Sequence, residues 1–386
     1  MDERGRQCSV WLGSETGILK GVSLSRKQAF NFCSSTHLSR DQEVRVLCWA
    51  DTAESELLLG SVDGTVSTFS VEKSRLTGRR RYGRPEEGCF SGLAAGRGPA
   101  AVTVTCVETG ALRVWTEDRT EPVAEIQAGT NVCRMRQNPV HRNWVGTGGK
   151  DTGLKIWDLD RPDAAVFTAK NLRDDCLDLR RRQWVRDLGF IPGTDKVVTC
   201  TGYRQVHVYD PSTPQRRPVL EAEYSEYPLT ALSLPGGGST VVVGNTQGQV
   251  AVLDLRNGRV CGCLKGLAGG VRDLQCHMSQ PVVASCGLDR FLHIHSLEDR
   301  KVQHKVYLKS CLNCLLLASR DLEAGGGDAV EEAVPEVKEE EEDEDEVWES
   351  MKRVEEMEDG VKRKKMGQKE KYKKKLRGTK TEDSSD

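Results

Sequence analysis

Residues 144–159, WVGTGGKDTGLKIWDL, alternate apolar and polar positions, turn tightly through Gly149 and Gly153, and alternate again up to Trp157-Asp158. Alternation with a period of two is the mark of a half-buried strand. The same shape recurs as VWLGSETGILKGVSL, LLLGSVDGTVSTFSV, VTVTCVETGALRVWT, KVVTCTGYRQVHVYD, VVVGNTQGQVAVLDL and VVASCGLDRFLHIHSL. Aligned on Trp157, the copies place Val22, Phe69, Trp115, Tyr209, Leu253 and His295 at one position, and successive spacings are 47, 46, 42, 52, 44 and 42 residues. Further alternating runs flank the copies: VCRMRQNPV and AAVFTAKN around Trp157, WVRDLGFIPG and RRPVLEAEY around Tyr209. Four short strands per period, with no helical periodicity between them, predict one four-stranded blade per copy and a ring of seven.

The period lies close to the roughly 40 to 45 residues of a WD repeat. The predicted fold is therefore all-β, a seven-bladed WD-repeat β-propeller. Only one copy keeps a literal Trp-Asp pair, which is tolerable because the position needs an apolar strand former more than it needs tryptophan. The first blade has too few residues before Val10 for an innermost strand. The apolar run at 311–319, CLNCLLLAS, is predicted to supply it and to close the ring, removing the sheet edges that invite aggregation. Deleting that run is expected to cost the protein its solubility. The propeller is assigned to residues 1–319.

Composition changes this picture at the C-terminal end. Mean hydropathy is -0.52 and 30% of residues are charged, lean for a chain that folds throughout. Residues 1–320 hold 42 Lys and Arg against 35 Asp and Glu, whereas residues 321–386 hold 14 against 23. Residues 320–386 read as a disordered tail, acidic through EVKEEEEDEDEVWESM and then basic, because such blocks repel themselves and bury little apolar surface. Its lysine clusters, with Lys362, Arg363, Lys364 and Lys365 in one and Lys373, Lys374 and Lys375 in the other, have the form of nuclear or nucleolar targeting signals. Trp348, alone among acidic residues, reads as a short docking motif that orders on a partner. The plainer reading is a solubilising tail.

Enzyme chemistry finds no foothold. There is no GxxxxGK[ST] phosphate loop, no nucleophile elbow and no paired-carboxylate motif. Cys311 and Cys314 form a lone CxxC, and His293 and His295 near Cys286 read as packing positions rather than metal ligands. The glycines fall in blade turns, and Asp63, Asp151 and Asp289 fall in the turn between second and third strands, where Asp stabilises a turn. The fourteen cysteines sit mostly in apolar runs and read as reduced thiols. With no apolar leader-like stretch and no run long enough for a membrane span, the expectation is a soluble intracellular protein without cofactor or metal.

Strand order sorts the loops. Turns between second and third strands share one face with the blade-to-blade connections, and the remaining turns share the other. On the first face fall Arg79, Arg80, Arg81, Arg84, Lys150, Lys170, Arg173, Arg180, Arg181, Arg182, Arg204, Lys265 and Arg290. Acidic residues such as Asp51, Glu54, Glu117, Asp160 and Asp195 dilute the second. A basic loop face without an active site suits phosphate backbones or an acidic protein, although surface arginine also serves plain solubility. The segment 170–182 makes the longest spacing of the seven. With Leu172, Leu177 and Leu179 among its cations, it is expected to pack down and hold Arg173 and Arg180 close to Lys150.

Blocks such as AKNLRDDCLDL, CTGYRQVHVYDPSTPQRRPVL, GLAGGVRDLQCH and KVYLKSCLNCLLL depart from generic WD repeats. Across roughly residues 10–318 they resemble a family of nucleolar ribosome-assembly WD-repeat proteins with animal and fungal members. The resemblance implies a scaffold in nucleolar maturation of the large ribosomal subunit and pre-ribosomal RNA processing. Implied partners are pre-ribosomal particle proteins, possible direct contact with pre-ribosomal RNA, an AAA-type ATPase and a nuclear exosome helicase. A monomer within a large complex is expected. The reading kept beside it is a substrate receptor or adaptor of a ubiquitin-ligase or chromatin complex, which would read a short peptide in the central channel.

Overall fold

A computed structural model describes residues 4–32, 38–96, 102–174 and 177–322. It contains seven antiparallel four-stranded sheets, and their innermost strands neighbour one another in a closed circle. Six blades take their strands in sequence order from the centre outward. Blade 2, for example, runs Val44–Trp49, Glu56–Ser61, Thr65–Ser70 and Arg75–Arg81. Blade 1 is the exception: its innermost strand is Leu312–Leu317, paired antiparallel with Val10–Ser14, with Val10 opposite Leu317 and Trp11 opposite Leu316. The run at 311–319 therefore closes the ring as its apolar pattern predicts.

The Trp157 alignment proves to be one structural register. Each aligned residue sits on the third strand of its blade, opposite the second strand: Val22 faces Val10, Phe69 faces Leu57, Trp157 faces Val145 and His295 faces Val283. All seven are buried. Where tryptophan is kept, its indole N–H has a partner on the second strand: Trp115 Nε1 donates to Thr105 Oγ1 (2.9 Å) and Trp157 Nε1 to Thr147 Oγ1 (3.0 Å). In the last blade His295 replaces this pair and its Nε2 lies 2.9 Å from the Lys265 carbonyl.

The core is distributed. A hydrophobic cluster lies between every adjacent pair of blades, because alternate residues of a strand face opposite neighbours. Val10 and Leu12 pack against blade 7, and Trp11 between them packs against blade 2. Turns follow side-chain chemistry. Asp63 Oδ1 accepts from the Thr65 amide (3.0 Å) and hydroxyl (2.6 Å), and Gly64, at φ +79°, takes the left-handed conformation that its lack of a Cβ makes cheap.

Residues 320–322 continue from the closing strand onto the propeller: Leu322 is buried in the cluster between blades 7 and 1, and the Arg320 guanidinium donates to the Cys8 carbonyl. Trp348 and the lysine clusters at 362–365 and 373–375 lie outside the described residues. Twelve cysteines are described, and all are free thiols; burial raises Cys106 to about 11 and Cys276 to about 12. No described helix is long and apolar enough to cross a membrane.

Candidate docking face and the central channel

The basic residues read from the sequence divide by environment. Lys150 follows the second strand of blade 4, is exposed, and sets its Nζ 5.6 Å from the centre of the Trp184 ring. Lys170, Arg173 and Arg180 are exposed along the blade 4 to blade 5 connection, and none has a carboxylate partner among the described residues. Others are engaged. Arg204 pairs with Glu223 (2.8 Å), and Arg290 contacts Tyr307 and Cys311, which raise its pKa.

Arg79, Arg80 and Arg81 belong to the outermost strand of blade 2 rather than to a loop. Arg79 pairs with Asp63 (2.6 Å), and Arg81 donates to the Asp63 carbonyl (3.3 Å). Arg80 stands over the Tyr82 ring and donates to the carbonyls of Thr116 (3.3 Å) and Glu117 (3.0 Å), in a turn that strand order assigns to the other face.

The 170–182 segment differs from expectation. Leu172 is buried, at 6% exposure, but Leu177 and Leu179 are exposed at 73% and 59%. In this segment the expected burial is therefore met at Leu172 and not at Leu177 or Leu179. Hydrogen bonds from Lys170 N to the Arg216 carbonyl and from Asn171 Nδ2 to the Arg181 carbonyl (both 2.8 Å) tie its ends instead.

The channel holds what the sequence reading missed. Asp187 on the innermost strand of blade 5 and Asp273 on that of blade 7 are both buried, and both meet Arg134 and Arg136 of blade 4. Arg134 Nε lies 3.2 Å from Asp187 and its terminal nitrogen 3.4 Å from Asp273; a terminal nitrogen of Arg136 lies 3.0 Å from Asp187 and 3.2 Å from Asp273. The remaining carboxylate lone pairs take backbone amides. Leu188 and Leu232 donate to Asp187 (2.9 and 3.2 Å), Leu274 and Leu315 to Asp273 (3.1 Å each). Leu232 belongs to blade 6 and Leu315 to the closing strand, so the network ties five consecutive blades.

Burial alone would raise the Asp187 pKa; the two guanidiniums and the Leu232 amide outweigh it and hold the carboxyl below its ordinary value. Burial would likewise lower Arg136, and the two aspartates carry it upward. Both stay charged, and the waist of the channel is filled. Two cavities remain on either side of it, about 140 Å³ towards the basic face and about 240 Å³ towards the other.

The upper cavity is lined by a bulged residue from every blade. The pairing register slips near the start of each innermost strand, for instance between Val185 and Asp187 or Val271 and Asp273. The residue so displaced is Asn313, Arg45, Ser91, Cys133, Arg186, Thr230 or Arg272 in blades 1 to 7. A sequence signal existed: the tetrapeptide VRDL occurs at 185–188 and again at 271–274, setting an arginine at the bulge and an aspartate at the waist of two blades.

His293 and His295 are fully buried, and burial lowers the pKa of both. Among the described residues no group of three or more His, Cys, Asp or Glu side chains is placed to hold a metal.

The chain is 55% identical over 317 residues to proteins of cattle and human named WD repeat-containing protein 74, covering 81% of this chain and 81% of each relative. It belongs to the WD repeat-containing protein 74 family. The chain is more distantly similar to fungal proteins: a fission-yeast protein named ribosome biogenesis protein nsa1 is 27% identical over 245 residues, 59% of either chain. No family model matches the chain. The repeat structure and the family agree on a WD-repeat propeller, and the aligned length is that of the ring rather than of the whole chain.

Proposed function

We propose that this protein is a non-enzymatic assembly scaffold for the large ribosomal subunit in the nucleolus, docking on pre-ribosomal particles through the basic loop face. The observation that carries this reading is the filled waist. A peptide receptor would hold its ligand along the channel, and the Arg134, Arg136, Asp187 and Asp273 network occupies that path. The exposed loops are left for contact, and Lys150, Lys170, Arg173 and Arg180 supply exposed cations there, with no ion pair among the described residues. The names of the fungal relatives support the ribosomal assignment. Participation in pre-ribosomal RNA processing, and dealings with an AAA-type ATPase and an exosome helicase, belong to the same proposal and rest on family resemblance.

The test is a triple substitution, Lys150→Glu, Arg173→Glu and Arg180→Glu, followed by sucrose-gradient sedimentation of nuclear extract. The variant is expected to leave the pre-ribosomal fractions at moderate salt while its melting temperature stays within a few degrees of the parent's. Continued sedimentation with the particles would move the docking site to the opposite face or remove the ribosomal reading.

A further inference from the structure

We propose that the upper mouth of the channel, at Arg186 and Arg272, is a binding site for one phosphodiester group of single-stranded RNA. The inference rests on the docking reading above and gives it a location. The two residues are the bulged positions of blades 5 and 7, and both line the 140 Å³ cavity.

The two halves of that mouth differ in charge balance. On the blade 2 side Arg45 is held by Glu43 (3.0 Å), and Glu108 lines the same cavity. On the other side neither Arg186 nor Arg272 has a carboxylate partner among the described residues; Arg186 lies over the Trp184 ring at 5.2 Å, the ring that also takes Lys150. The Thr230 hydroxyl between them is already donated to the Val271 carbonyl (2.7 Å), so the two guanidiniums, which open on one small cavity, are the donors for the oxygens of a phosphate. The paired Arg134 lines the inner end of the cavity, so the ligand is expected to lie across the mouth. Lys150 shares the Trp184 ring with Arg186, and Lys170, Arg173 and Arg180 are exposed along the blade 4 to blade 5 connection. Such a surface suits a polymer with a charge on every unit, and flexible single strands can dip one phosphate into a recess that a duplex would span.

The experiment is fluorescence anisotropy of the purified full chain with a short single-stranded RNA, in parallel with a glutamate-rich peptide and with inorganic phosphate as competitor. Replacing Arg186 and Arg272 together by Ala is expected to weaken RNA binding at least about tenfold and to flatten its salt dependence, which runs at about -0.7 in log units per phosphate neutralised on a single strand. Replacing Arg256 and Lys301, two exposed cations in turns of the opposite face, by Ala removes the same charge and is expected to leave binding within about twofold. Equal losses in the two variants would overturn the site, leaving only general charge. So would no loss in the first, or tighter binding of the peptide than of the RNA. Competition by free phosphate at concentrations that spare the salt control would mark a site for the free anion and overturn the RNA assignment. Because this assay contains no particle, its failure leaves the gradient experiment standing, and failure of the gradient experiment leaves this one.

Discussion

The waist of the channel and its mouth are built from adjacent residues and obey opposite rules. In VRDL at 185–188 and at 271–274 the arginine turns up to the mouth and the aspartate goes to the waist. Asp187 and Asp273 have every neighbour they need: two arginines and two backbone amides each. Arg186 and Arg272, one residue earlier, have no carboxylate at all among the described residues. Charge that is completely satisfied holds the ring together, and charge left incomplete is available to a partner. Residue type does not separate these roles; the closing of hydrogen-bond and ion-pair valence does.

The sharpest way to break that contrast is at the waist. Asp187→Ala leaves Arg134 and Arg136 sharing a single buried carboxylate and is expected to cost about 3 to 5 kcal/mol, read by urea denaturation. A loss below about 1 kcal/mol would show that the network is not structural.

A smaller effect, about 2 kcal/mol at pH 5, is expected from His207, which is buried on the third strand of blade 5 and feels the charge of Arg181. Burial first, and Arg181 second, lower its pKa to about 4 from 6.5. The folded protein keeps the imidazole neutral, while the unfolded chain takes a proton below about pH 6.5. Stability is therefore lost as pH falls from 6.5 towards 4. His207→Phe should show a shallower fall in melting temperature between pH 7 and pH 5 than the parent, each measured against its own pH 7 value. An unchanged slope would assign the acid sensitivity to His293, His295 and the carboxylates.

The smallest effect belongs to the mouth. Arg186→Ala and Arg272→Ala are each expected to shift stability by no more than about 0.5 kcal/mol in the same urea experiment. A loss comparable to that of Asp187→Ala would mean that the mouth is structural too, and the distinction would fall.

The repeat architecture was legible because each blade writes the same alternation, and the Trp157 alignment reads one register even where the residue is Val22 or His295. The closing strand was legible by subtraction, since blade 1 lacked a partner. The waist was not. Arg134 and Asp273 are 139 residues apart, and a charged residue on an innermost strand looks like surface until the ring brings three blades face to face. The 170–182 segment misled for a related reason: three leucines suggest burial, but Leu172 is buried while Leu177 and Leu179 are exposed.

Ring closure by Leu312–Leu317 also sets an order on synthesis. Val10–Ser14 leaves the ribosome some 300 residues ahead of its neighbour and meets it only when residue 317 has followed. At roughly 5 to 20 residues per second that is a delay of about 15 to 60 seconds. Throughout it, the inner edge of the first blade offers unpaired backbone groups, and Asp273 lacks the amide of Leu315. The nascent chain thus carries an open sheet edge throughout that interval, and contacts spanning some 300 residues make the closing of the ring a slow step. A chaperone that masks a β-edge during that interval would serve this protein more than one that shields apolar surface, because the clusters between the middle blades can already have formed.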